Sequence, residues 1–183
     1  MGKKALLVID MQNDFVLESA PFRIQGAIGI IGNIKKAVEK FRQKKAPIFY
    51  VAKVHKADGS DIEITRRERF KATPYAVDGT RGAQIIDELT PKKGECVIRK
   101  TRMDSFFRTD LDLTLKKEGV TDLVITGIQT ANCIRATAVT AVALDYNTAV
   151  VEDATAAPTP QIHACNINDM KNMGVSIIKT ADI

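Results

Sequence analysis

Six short apolar runs recur along the chain, at residues 5–9, 48–54, 96–98, 123–128, 148–151 and 175–178. Most are near-continuous rather than alternating, the pattern of parallel strands covered on both faces. Helical spacing fills the intervals. Ile30, Ile34, Val38 and Phe41 recur at helical steps and end near Lys44 and Lys45, a favourable helix C-terminus. Ala83, Ile86 and Leu89 mark a short helix stopped by Pro91. Leu111 and Leu115 mark another, closed by Gly119. Residues 131–145 are apolar nearly all round, which predicts the most buried helix. Ile162, Cys165, Met170 and Met173 mark the last, ended by Gly174. Strand alternating with helix six times predicts an α/β fold, a doubly wound sheet. Residues 55–82 break the rhythm. So long a connection, rich in charge and turn residues, predicts a site rim or a subunit contact.

Composition narrows the class. With 183 residues, one domain over 1–183 is expected, long enough to bury a full core. Three cysteines, Cys96, Cys133 and Cys165, form neither a metal-type pair nor a disulfide framework and fit a reducing compartment. The apolar run after the basic start is cut by Asp10, too short for a signal peptide. No stretch approaches a membrane span. A cytoplasmic protein is therefore expected, without membrane partners. The formal net charge of +5 raises nucleic-acid binding. However, the basic residues are scattered and mostly interleaved with acids, and no recognition motif appears, so none is expected.

Chemistry concentrates at strand ends. In doubly wound sheets the ligand cleft opens at the carboxyl ends of the strands, near the switch point. Asp10 follows the first run, Lys100 the third, and Cys133 lies in the first helical turn after the fourth. A thiol near a lysine and a helix N-terminus leans towards thiolate. A carboxylate within reach takes a proton and returns it to a leaving group. Backbone N–H groups between Gly127 and Cys133 are placed to hold an oxyanion. His163, on the helix after the fifth strand, is a competing base. Cys96 and Cys165 read as core, and Asp14 and Asp153 as turn or cap residues.

These residues stand in longer motifs. Leu6-Leu7-Val8-Ile9-Asp10-Met11-Gln12-Asn13-Asp14-Phe15 resembles the opening motif of the isochorismatase-like cysteine hydrolases. Gly127-Ile128-Gln129-Thr130-Ala131-Asn132-Cys133-Ile134-Arg135 resembles their nucleophile motif. Lys100-Thr101-Arg102-Met103-Asp104-Ser105-Phe106 is similar to their lysine loop, and Asp78-Gly79-Thr80-Arg81-Gly82-Ala83 to their Gly-Thr turn. The family includes nicotinamidases, N-carbamoylsarcosine and ureido-acid amidohydrolases, and isochorismatases. The resemblance implies a Rossmann-like three-layer sandwich with a mostly parallel six-stranded sheet, Cys133 as nucleophile, Asp10 as general base and acid, and Lys100 as their electrostatic partner. It implies a cis peptide at Ile128–Gln129, with the N–H groups of Gln129 and Cys133 as oxyanion donors. Gln12, Phe15, Phe106 and Thr130, inside the matched motifs, are expected to shape the substrate pocket.

Two features narrow the reading. Nicotinamidases of this family carry an Asp-x-His pair and a further histidine as metal ligands. Here the pair is Lys53-Val54-His55 and the further position falls near Tyr75, so no metal and no other cofactor are expected. The cysteine in its motif argues for C–N hydrolysis through a thioester, on a small amide, carbamoyl or ureido compound. Vinyl-ether hydrolysis by Asp10 alone, or a silent small-molecule-binding protein on this fold, are the alternatives. The resemblance also implies a homo-oligomer, a dimer or larger.

Overall fold

In a computed structural model describing residues 2–183, six strands form one sheet in which every pair is parallel. They are β1 (Lys3–Ile9), β2 (Ile48–Lys53), β3 (Cys96–Lys100), β4 (Val120–Ile128), β5 (Asn147–Ala156) and β6 (Ser176–Ile178), in the spatial order β3-β2-β1-β4-β5-β6. The helices are α1 (Asn13–Val16), α2 (Ala27–Gln43), α3 (Arg67–Ala72), α4 (Leu111–Lys117), α5 (Arg135–Ala143) and α6 (Pro160–Asn172). The expected α/β sandwich is observed, and its sheet is parallel throughout rather than mostly so.

Period-two alternation sorts the strand side chains into two cores. Ala5, Leu7 and Ile9 of β1 face a core completed by Leu111 and Leu115 of α4, Ala138 and Ala141 of α5, and Ile167 and Met170 of α6. Leu6 and Val8 face the opposite core, under Ile30, Ile34, Val38 and Phe41 of α2. Burial on both sides explains why β1 reads as an unbroken apolar run.

The helices differ from the sequence expectations in three places. Residues 83–89 form no helix. Ile85 instead bridges to Gln12, Ile86 N–H donates to Met11, and only Asp87–Leu89 makes a single 3₁₀ turn. Backbone groups engaged by the loop after β1 are not free for a helical ladder. The segment 131–145, though apolar nearly all round, is covered on one side only. After one π turn, Thr130–Ile134, α5 buries Thr137, Ala138 and Ala141 but leaves Val139 and Val142 exposed, because only one of its sides meets the sheet. In α6 the inward stripe is Ile167 and Met170, while Ile162, Cys165 and Met173 face out. Cys165 is thus a surface residue and not core, and Cys96, on edge strand β3, is half-buried.

The long connection 55–82 carries α3 and a small aromatic cluster. Ile62, Phe70 and Tyr75 pack together, with Phe15 and Phe22 against them. It is pinned back onto the sheet through His55, whose N–H donates to Ala76 and whose carbonyl accepts from Asp78.

Where the two halves of the sheet meet, Gly127 lies opposite Ile9. Its φ of 108° lies in the region that favours glycine, and a Cβ built there would stand 2.1 Å from the Ile9 carbonyl oxygen. Gly127→Ala is therefore expected to destabilise the protein by about 3 kcal/mol or more, read as a lower urea midpoint. It is also expected to disrupt the site beside it.

Candidate active site

β1 and β4 are neighbours whose chains depart to opposite sides of the sheet, so the switch-point crevice opens between their carboxyl ends. Asp10 ends β1 in a left-handed turn, φ 55°, a conformation aspartate tolerates better than most residues. Its N–H donates to Val51 of β2, which fixes the turn. Lys100 is the last residue of β3, and Cys133 sits in the π turn after β4. The sheet order carries the lysine past β2 to the aspartate. Lys100 Nζ lies 2.9 Å from Asp10 Oδ2 and donates to the Met103 carbonyl at 2.8 Å. Both partners are buried. Asp10 Oδ1 is also buried and has no hydrogen-bond partner, leaving one lone-pair face unused.

The loop after Lys100 is stitched to α5, the helix that follows the cysteine. Ser105 N–H and Oγ both meet Thr137 Oγ1, and Thr140 donates to Asp104 Oδ2. The motif 100–106 thus ties the lysine to the helix carrying the thiol. The Ile128–Gln129 peptide is cis.

Charge settles the resting protonation. Burial opposes the ammonium of Lys100, yet Asp10 and Cys133 outweigh it and hold Lys100 above the ordinary lysine value. Burial, then the Asp10 carboxylate, push the Cys133 thiol above its ordinary value. Lys100 and Lys53 pull it down without cancelling them. Where the sequence leans towards a thiolate, burial and the Asp10 carboxylate favour the neutral thiol.

Cys133 and Asp10 line a recess with Phe15, Ile24, Lys53, Arg66, Tyr75, Ile128, Gln129 and Asn132. Its cavity volume is about 40 Å³, well below that of ordinary preformed ligand sites. Phe15 and Gln129 are brought here, as expected. Gln12, Phe106 and Thr130 are not, and each has another partner. Gln12 is fully buried as a clamp: its amide donates to the carbonyls of Lys53 and Ala83 and accepts from Lys53 N–H. Phe106 stacks on Tyr146 in the core, centroids 6.0 Å apart. Thr130 Oγ1 pairs with His163 Nδ1 at 2.9 Å. His163 lines a separate groove with Gln25 and Pro158, and its basicity is lowered by burial. Asp14 and Asp153 cap loops, accepting from Ala76 N–H and from Thr180 respectively.

Arg66 is not legible in the sequence as a site residue, and Lys53 and Tyr75 read there only as positions that lack a metal ligand. Lys53 shares its strand-end position with Asp10 and Lys100, a signal that a position count alone supplies. Arg66 and Tyr75 arrive from the irregular connection, for which no periodicity exists. Beneath them, His55 is fully buried, edge-on to Phe70 and Tyr75. Burial and Lys53 hold it neutral against the nearby acids. This donor set does not fit a divalent cation. Lys53 puts a positive charge beside His55, and among the described residues no three His, Cys, Asp or Glu side chains come together.

Residues 4–182 match the family described as the Isochorismatase domain. A probable inactive nicotinamidase of Arabidopsis thaliana is 46% identical over 93% of this chain and 89% of its own. A ureidoacrylate amidohydrolase of Agrobacterium fabrum is 31% identical over 84% and 76%. The crystal structure of an isochorismatase family protein from Desulfovibrio vulgaris superposes with a TM-score of 0.96 at 43% identity, over 99% and 96% of the two chains. With a family match over nearly its whole length, and a fold shared with such relatives, this chain belongs to the isochorismatase-like cysteine hydrolase family.

Proposed function

We propose that the protein is a metal-independent cysteine hydrolase that cleaves a C–N bond of a small amide, carbamoyl or ureido compound. The observation that carries this reading is the buried Lys100–Asp10 pair with a free carboxylate oxygen in the same recess as the Cys133 thiol. Membership of a family with a ureidoacrylate amidohydrolase among its relatives supports it.

In this mechanism Asp10 Oδ1 takes the thiol proton as Cys133 Sγ attacks the substrate carbonyl. The neutral resting thiol makes this transfer part of the attack rather than a step before it. The oxyanion is held by the N–H groups of Gln129 and Cys133. Protonated Asp10 then gives its proton to the departing nitrogen as the C–N bond breaks, leaving a thioester. Water adds to the thioester while Asp10 takes its proton, and the thiol is regenerated as the acid leaves. Lys100, 2.9 Å from Asp10 Oδ2, is the electrostatic partner of that carboxylate in each half-reaction. Phe15 faces the substrate. A single domain, a cytoplasmic setting and assembly as a homo-oligomer belong to the same proposal. Three free cysteines and the outward Val139 and Val142 on α5 support the last two.

An ammonia-release panel of amides, ureides and carbamoyl amino acids tests the reaction. With any substrate turned over, Cys133→Ala is expected to lower kcat/KM at least ~10³-fold. Retained activity would favour ether-type chemistry by Asp10 and sink the thioester. Asp10→Asn is expected to lower kcat by about 10²–10⁴-fold. The same change removes a negative charge that disfavours the thiolate, so iodoacetamide should label Cys133 from a lower pH than in the parent. Lost turnover with an unmoved labelling profile would remove Asp10 from contact with the thiol.

Lys100→Met strands the Asp10 carboxylate in a buried site. A loss of about 3–5 kcal/mol is expected in urea unfolding at neutral pH. The double change Lys100→Met, Asp10→Asn should recover part of it, since no charge is then left unpaired.

A further inference from the structure

We propose that Lys53 is a positioning residue for the nucleophile: its ammonium, on the same face of the sheet as Cys133, supports the negative charge that reaches the sulfur when the thiol proton leaves. The inference rests on the reaction proposed above and adds to it a second cation beside Lys100.

Sheet geometry sets the two lysines side by side. Lys53 and Lys100 are register partners at the carboxyl ends of β2 and β3. Side chains two apart along a strand share a face. Phe49 and Val51 lead in such a row to Lys53, and Ile98 leads to Lys100. Those three apolar residues belong to the core that holds Cys133. Gln12 anchors the end of the β2 row. The Lys53 N–H donates to Gln12 Oε1 at 2.8 Å, and the Lys53 carbonyl accepts from Gln12 Nε2 at 2.7 Å. The lysine side chain on this fixed backbone is 3% exposed and lines the recess with Asp10 and Cys133.

Like charges on paired strand positions repel, so each lysine needs an acid. Lys100 has Asp10 at 2.9 Å. Lys53 has Glu63 at 3.7 Å, a Coulombic contact longer than a hydrogen bond. Burial opposes the Glu63 carboxylate, but Lys53, with a smaller contribution from Arg66, overcomes it and holds Glu63 below the usual carboxylate range. His55 faces Asp61 at 3.5 Å, and burial and then Lys53 lower its basicity. From α6, His163 reaches Thr130 of the π turn, and Asp169 pairs with Arg135. None of those three lines the recess.

The proposed reaction moves one negative charge across this arrangement. As the S–H bond breaks, the proton forms an O–H bond at Asp10 Oδ1 and the electron pair stays on Cys133 Sγ. The charge leaves the carboxylate that Lys100 grips and appears on the sulfur. Lys53 meets it without giving up a short hydrogen bond, because its own carboxylate stands off at 3.7 Å. Both lysines favour the thiolate against burial and Asp10. The apolar walls Phe15, Ile24 and Ile128 keep screening weak between the ammonium and the sulfur.

Iodoacetamide labelling of the whole protein, followed by peptide mass spectrometry from neutral to strongly alkaline pH, reads this charge without a substrate. Exposed Cys165 supplies the internal reference. Lys53→Met should raise the pH of half-maximal labelling at Cys133 by about one unit, with labelling about tenfold slower below it, and leave Cys165 unmoved. Lys53→Arg should keep most of the parent profile. Because Lys53→Met strands Glu63, the double change Lys53→Met, Glu63→Gln removes both charges together. It should unfold near the parent urea midpoint and still label Cys133 only at the raised pH. A parent-like profile in either folded variant overturns the role of Lys53 and leaves the hydrolase reading standing. No labelling of Cys133 in the parent at any pH removes the open nucleophile and overturns both. With a substrate in hand, Lys53→Met should lower kcat about tenfold at little change in KM, and Lys53→Arg should recover most of it. A raised KM with an unmoved labelling profile would put Lys53 on the substrate instead and overturn its action on the thiol.

Discussion

An ammonium and a carboxylate, both withdrawn from water, hold each other at 2.9 Å beneath the Cys133 thiol. Neither ion is tolerable there alone. Lys100 is the last residue of an edge strand and Asp10 the first residue past a central one, so the contact exists only when β2 lies between them in register. The sheet order β3-β2-β1-β4 is thus a condition of the pair, and the proposed acid–base role of Asp10 depends on the pair. The loop after Lys100 bonds to α5, and through it the ion pair is coupled to the helix that presents the cysteine.

The second constraint is how closely β1 and β4 approach. Gly127 opposite Ile9 admits no side chain, and the absence of one lets the aspartate turn and the turn after β4 share one crevice. The same crowding decides the electrostatics. With a carboxylate this near, the thiol stays protonated until something attracts the proton away, and the unpartnered Oδ1 is the group placed to do so. In the proposed reaction the reactive state is reached on substrate attack, so the resting site need not carry two buried negative charges.

Residues of similar chemistry take different roles according to what surrounds them. Lys100 and Lys53 both end strands and both are buried, yet one is committed to Asp10 and the other leans on Glu63. Gln12 and Gln129 both lie in matched motifs. Gln12 satisfies backbone groups across a loop junction, while Gln129 opens onto the recess. Among the three cysteines, burial and neighbours separate one in the recess from one at a strand edge and one on the surface.

The sequence determined the layers by itself. Six apolar runs of strand length, separated by helical spacing, leave a parallel sheet as the arrangement that buries both faces of each strand. It also marked Asp10, Lys100 and Cys133, because residues just past parallel strands converge on one edge wherever the sheet is continuous. What it could not decide depends on distance and on partners. Helical spacing at Ala83, Ile86 and Leu89 lost to backbone bonds offered by the loop after β1. The stripe on α6 missed its phase at Ile162 and Cys165, since apolar side chains carry no label for which neighbour will cover them. The sequence leans towards a thiolate at Cys133, whereas burial and a facing carboxylate, which only the fold supplies, favour the neutral thiol. Arg66 reached the recess from a connection without periodicity, and only the folded chain, by pinning that segment through His55 and its aromatic neighbours, brought it to the thiol.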